Sequence, residues 1–241
     1  VVEPTVSGSA NYTINHSNKL SLGYVFGTDS YSLEELFNVS FHQDFQTIRI
    51  NKATVKDIKP FHFGNITYNY ENITAGVNLR LSGIAMLSKQ NQVSYHSNDD
   101  IFIVSNTIDH KNKEEQYSLS GSISKAMFFM KSFLKLEASA NRNKGVKYNH
   151  NDFVDYNLDN LSIGASIDIQ PFRFLSLEMG MRANSVTIDI PVRNTQKSSS
   201  YIANIAVPIN KNLIFSLKNS IRKNGYVEKP FFFSNFEADY R

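Results

Sequence analysis

The sequence predicts an all-β fold, an antiparallel up-and-down transmembrane β-barrel of about 11 strands. Three observations predict it. Strict apolar/polar alternation recurs in about ten segments, each near the ~9–11 residues that a tilted strand needs to cross a bilayer. The connections between segments are alternately tight and long, as in outer-membrane barrels. The non-apolar face is Ser, Asn, Lys, Glu, Arg and Asp in strand after strand, while the apolar face mixes Leu and Ile freely with Ala and Gly. Lipid makes no demand for jigsaw packing, whereas a protein core packs to crystal-like density.

The clearest segment is 117–124, where the odd positions are Tyr117, Leu119, Gly121 and Ile123 and every even position is serine. A period of two puts these sets on opposite faces of a strand. The first segment, 5–15, places Val6, Gly8, Ala10, Tyr12 and Ile14 on one side, and after the turn 16–19 the next places Leu20, Leu22, Tyr24 and Phe26. A long excursion, 27–60, follows, with a loop hairpin expected within 45–50. Segments 61–70 and 75–88 flank the tight turn 71–74, with Leu79 and Leu81 opposite Arg80. A polar loop is expected over 89–115. The third pair turns near 125–131 and continues with Leu134 and Leu136 against Lys135 and Glu137.

A second polar loop is expected over 143–159. Then Ile163 and Ile167 oppose Asp168, and Leu175 and Leu177 oppose Glu178 and Arg182. After Ala183 the alternation changes phase, which predicts a bulge or the mouth of a loop. Segments 201–207 and 213–222 form the last pair, with Phe215 and Leu217 opposite Lys218 and Arg222, and a final strand begins at Phe231. Aromatics gather near segment ends (Phe61, Phe63, Tyr68, Tyr70, Phe128, Phe129, Phe172, Phe174 and Tyr201), the placement of interfacial girdles.

From this pattern Leu20, Leu22, Leu79, Leu81, Leu134, Leu136, Ile163, Ile167, Leu175, Leu177, Phe215 and Leu217 are assigned to lipid. Arg80, Lys135, Glu137, Asp168, Glu178, Arg182, Lys218 and Arg222 are assigned to the lumen, because a basic residue facing lipid at the midplane costs ~2–4 kcal/mol. Their expected role is plug docking or lining of a hydrated lumen.

Composition narrows the alternatives. Mean hydropathy is −0.32, which in a barrel reflects the averaging of two opposite faces. The longest apolar run, 126–130, is far short of the ~20 residues of a transmembrane helix. The net charge of +3 comes from interspersed charges, without the basic footprint of nucleic-acid binding. Cysteine is absent, which removes disulfides and thiolate metal sites. His96, Asp99, Asp100, Asp109 and His110 lie close in sequence, as do His150, Asn151 and Asp152, but neither group has a recognised ligand spacing, so no metal or cofactor is expected. With no nucleophile–base pair, phosphate loop or glycosidase-type carboxylate pair, the chain reads as a non-enzyme. Residues 1–15 lack the signature of a signal peptide.

The opening pair 12–26, the Ser32-Leu33 loop, Asp57-Ile58-Lys59-Pro60 ahead of Asn65-Ile66-Thr67-Tyr68-Asn69-Tyr70, and the ending Phe236-Glu237-Ala238-Asp239-Tyr240-Arg241 carry a family likeness. The sequence resembles the C-terminal part of a Bacteroidetes-type TonB-dependent receptor, or of the related outer membrane β-barrel family. Of the family's Asn-Pro-x-Leu-x-Pro-like loop stretch only the final x-Pro is kept. The resemblance implies an outer-membrane location in a diderm bacterium and import of a bulky nutrient (siderophore, glycan or peptide). Its implied partners are outer-membrane lipid, the remainder of the barrel and its plug, the TonB complex and a surface lipoprotein, and no nucleic acid. On this reading residues 1–241 are a single barrel segment without plug or signal peptide, about half of the ~22 strands of a plugged transporter. The alternatives are a structural or assembly subunit, a passive pore, and a soluble all-β binding module.

Overall fold

The computed structural model describes residues 5–29, 40–42, 47–51, 59–99, 102–149, 152–190, 192–209, 212–225 and 229–240. Thirteen strands account for nearly all of them: β1 (Val6–Asn15), β2 (Asn18–Asp29), β3 (Ser40–His42), β4 (Thr47–Asn51), β5 (Lys59–Asn72), β6 (Val77–Asp99), β7 (Phe102–Met127), β8 (Ser132–Asn149), β9 (Asp152–Phe172), β10 (Leu175–Ile190), β11 (Val192–Pro208), β12 (Leu213–Asn224) and β13 (Phe231–Tyr240). Eleven of these form an unbroken antiparallel meander in the order β1-β2-β5-β6-β7-β8-β9-β10-β11-β12-β13. It is the up-and-down topology expected of a barrel wall. Among the described residues β1 and β13 each have one neighbour, so the sheet is open at both edges.

A single layer cannot bury much. Among the described residues Val93, 4% exposed, is the one large apolar side chain in a buried core, whereas Leu136 is 45% and Ile163 56% exposed. Among the described residues no second sheet covers Leu134, Leu136, Ile163, Ile167, Leu175 or Leu177, which a soluble sandwich would require.

The tight turns have local causes. Between β1 and β2 the Asn15 side chain accepts from the Ser17 N–H at 2.9 Å. Between β5 and β6 Asn72 accepts from the Ala75 N–H, and Gly76 takes φ +64°, where a β-carbon would sit 2.9 Å from the Ala126 carbonyl oxygen. Between β7 and β8 a short 3-10 turn, Phe128–Met130, ends at Lys131 in the left-handed region.

Three sequence expectations change. The stretches 89–115 and 143–159 are largely strand, continuing as the β6–β7 and β8–β9 hairpins. On β6 beyond Lys89 and β8 beyond Arg142 polar side chains stand on both faces, and on β9 Val154, Tyr156 and Leu158 alternate in the opposite phase, so the backbone ladder continues past the point where the sequence pattern breaks. The phase change after Ala183 is not a bulge, since β10 keeps continuous register with β11 from Ser176 to Ile190. A register shift occurs instead on β6, between Gln90 and Gln92. The hairpin expected in 45–50 has a counterpart in the β3–β4 pair, and β4 also runs parallel to residues 103–107 of β7. Residues 43–46 lie outside the described residues. That added pair extends the sheet at the β7 edge of the β6–β7 hairpin, where Gln92, Ser105, Asn106 and Thr107 are buried with Val93.

Candidate lipid-facing and lumen-facing surfaces

Residues paired directly across a ladder share a face, so register sorts every side chain. One row runs Tyr70, Leu79, Ile123, Leu136, Ala165, Met181, Tyr201, Ile221 and Phe232 across nine strands. All twelve residues assigned to lipid fall on this apolar face. All eight assigned to the lumen fall on the other.

On seven of these strands the apolar face forms a band: residues 77–87 on β6, 117–123 on β7, 134–140 on β8, 161–169 on β9, 175–183 on β10, 201–207 on β11 and 213–221 on β12, where Asn219 interrupts it. Above it, at the end of the long hairpins, the same face turns polar at Lys89, Glu115, Arg142, Asp159, Ser185, Ser199 and Lys223. These seven residues do not lie in one row. Traced through its partners Ser199, Ala183, Ile163, Ala138 and Gly121, Lys223 leads to Leu81 on β6, eight residues below Lys89. The upper edge therefore steps down steadily from β6 to β12. The lower edge follows: the row of Val77 reaches Asn219, and the band on β12 continues to Leu213, six residues further. With ~3.3 Å per residue and ~4.8 Å between strands, the slope is a strand tilt of about 40° against a level band, and about nine residues so tilted span ~23 Å.

The polar face is ordered by level. One row is uncharged: Asn11, Ser21, Thr67, Ser82, Ser120, Ser139, Ser162, Asn184, Ser198 and Asn224. The next row toward the short turns carries Arg80, Glu137, Arg182 and Arg222, with Lys135 one further step away. Glu137 accepts from Arg182 across the intervening β9 and pairs with Lys135 at 2.8 Å. The bridge over β9 is possible because Gly164 lies between the partners: a β-carbon there would be 3.1 Å from Glu137 Cγ. Arg80, Lys135, Glu137 and Arg182, with Ser120, Ser122, Ser139 and Ser162, line a groove of about 350 Å3. Nearer the short turns the sign reverses. Asp168 faces Glu178 across the ladder, Glu178 accepts from Asn204 Nδ2 at 2.8 Å, and Lys218 pairs with Glu237. Arg222 lies 5.5 Å from the Phe233 ring centre.

Sequence reasoning missed two features because both sit in stretches it read as loop. Above the band Arg142 makes a two-pronged bridge to Asp159, at 2.6 and 3.0 Å, and that hydrogen bond holds the Asp159 carboxyl below the ordinary carboxylate range. Farther out is an aromatic cluster: His110 stacks on Phe153 with ring centres 3.7 Å apart, and Tyr148 contacts both Phe153 and Tyr95. The available signal was the phase change after Ala183, which marks the level where the two faces exchange character.

Of the residues weighed as metal ligands, His110 is committed to that stack, Asp100, His150 and Asn151 lie outside the described residues, and no group of three ligand residues occurs among the described residues. Of the expected girdle, Phe128, Phe129, Phe172 and Phe174 stand exposed at the short-turn end and Tyr201 at the upper edge of the band. Phe61 and Phe63 are a correction: they share the polar face with Asn65 and Thr67, because odd positions of β5 point that way.

No protein-family model matches the chain. No curated protein matches it either. Solved structures do. The ferric enterobactin receptor PfeA of Pseudomonas aeruginosa superposes with a TM-score of 0.67 over 98% of this chain at 10% identity. The ferric-catecholate import receptor Fiu of E. coli gives 0.57 over 91% at 10% identity, and the ferric yersiniabactin uptake receptor FyuA of Yersinia pestis 0.57 over 99% at 12%. These neighbours are TonB-dependent receptors. The chain has the fold of part of such a barrel wall. It spans 38% of the PfeA chain, 46% of Fiu and 42% of FyuA.

Proposed function

We propose that the chain is part of the wall of an outer-membrane import barrel, in which the apolar face meets lipid and the polar face lines the lumen. The observation that carries the reading is the slanted band. A soluble sheet has no reason to begin and end its apolar surface on parallel lines inclined to its strands, whereas a bilayer imposes just that on strands tilted ~35–45°, with a band ~25 Å tall. The likeness to siderophore receptor barrels supports the same reading.

The open edges support a larger barrel completed by further strands. As first and last of eleven alternating strands, β1 and β13 run in the same direction, so closing on each other would need parallel pairing. Bacterial single-chain barrels keep even strand numbers and avoid this. In a completed barrel the groove at Arg80, Lys135, Glu137 and Arg182 contacts a plug or a hydrated lumen, and the aromatic cluster around Phe153, at the outer end, supports capture of a bulky ligand such as a siderophore. Asn-, Lys- and Ile-rich composition supports a source of the Bacteroidetes type.

The reading is tested in the organism carrying the full-length protein. Uptake of the nutrient whose transport is lost on deletion should stop when the inner-membrane energy complex is disabled. Uptake that persists without energy coupling sinks active import and leaves a passive pore.

A further inference from the structure

At the upper edge of the band, across β9 to β12, the apolar face carries a groove of about 360 Å3. Leu161, Ile163 and Ala183 form its floor, the short side chains of Ser185 and Ser199 leave it open, and Lys197 and Lys223 stand along it. The two lysines are held near each other by register. Ser199 pairs with Lys223 on β12, and the Lys197 carbonyl accepts from the Gly225 N–H at 2.8 Å. Both lysines are exposed. Neither has a carboxylate partner among the described residues, unlike Lys135, Arg142, Arg182 and Lys218, each of which is paired.

Two ammonium groups with no carboxylate partner among the described residues, directly above an apolar floor, match one kind of ligand. We propose that this groove binds the phosphorylated headgroup of an outer-leaflet lipid, the phosphate lying between Lys197 and Lys223 and an acyl chain along Leu161 and Ile163. Ser185 and Ser199 supply hydroxyl donors beside the phosphate. The floor continues into the band itself, where on the membrane reading the neighbouring medium is lipid. The inference rests on the membrane reading above.

The test uses the full-length protein reconstituted in phosphatidylcholine vesicles with a small fraction of a bis-phosphorylated glucosamine lipid or its dephosphorylated form, with protein-bound lipid counted by native mass spectrometry. The wild type should retain the phosphorylated form preferentially. Lys197→Ala and Lys223→Ala should each weaken that preference about fivefold, while Lys197→Arg with Lys223→Arg keeps it. Heat-resistant migration on gels checks that every variant is folded. A double alanine variant that keeps the preference overturns the proposal. So does complete release of the lipid by an equal concentration of inorganic phosphate, which would make this a site for free anions. Wild-type protein that inserts but shows no preference overturns the lipid site alone. Wild-type protein that does not insert overturns the membrane reading with it.

Discussion

At Gly164 a missing β-carbon lets Glu137 and Arg182 meet across an intervening strand, and the consequence is testable in isolation. Gly164→Val should separate the pair. A double-mutant cycle of Glu137→Gln with Arg182→Gln, read by urea unfolding from vesicles, should give a coupling of ~0.2–1 kcal/mol for so exposed a bridge, and that coupling should vanish in the valine background. On the proposed reading, side chains on opposite faces of β8 meet different media. Leu136→Arg should destabilise the inserted protein by ~2–4 kcal/mol, the depth-dependent cost near a bilayer midplane, whereas Ser139→Arg should leave stability nearly unchanged. Equal costs would contradict the assignment of faces. Asp159 gives a pH signature. Its carboxyl titrates below its ordinary value of 3.8 because Arg142 binds the charged form. Stabilisation by this pair is therefore fully present above pH 3.8 and is lost as pH falls through the lower folded-state value. Carboxyl NMR of Asp159 should show that lowered midpoint, and Arg142→Gln should raise it toward the ordinary one.

At the scale of the strand, the slant of the band turns register into depth. Glu115, Arg142, Ser185 and Ser199 occupy different ladder rows, yet the proposed tilt would bring them to one level. The chain has no cysteine, so a single cysteine at each position can carry a fluorophore. Quenching by lipids brominated at known depths should report the same depth for all four, within about one residue's rise of ~3.3 Å. Depths that instead follow the rows, with Lys223 level with Leu81, would mean that the sheet stands upright and that the slant has another origin. The strands were legible in the sequence only where one face is apolar and the other polar. Between Tyr117 and Ile123 the alternation is complete, whereas β6 beyond Lys89 and β8 beyond Arg142 carry polar side chains on both faces and read as loop.

At the scale of the molecule, the edges decide what the wall can become. If β1 and β13 join other strands, cysteines at Ser9 and Asn235 should fail to form an intrachain disulfide in the full-length protein. An efficient disulfide would mean that eleven strands close on themselves. By itself, the sequence determined that the chain is a meander of antiparallel strands, which side chains share a face, and that one face is suited to lipid, because a period of two is a local property of the backbone. Only the tertiary structure decided the level of each strand relative to its neighbours. Register is set by pairing between distant segments, and from it alone come the slanted band, the bridge across Gly164 and the placing of Lys197 and Lys223 along one groove.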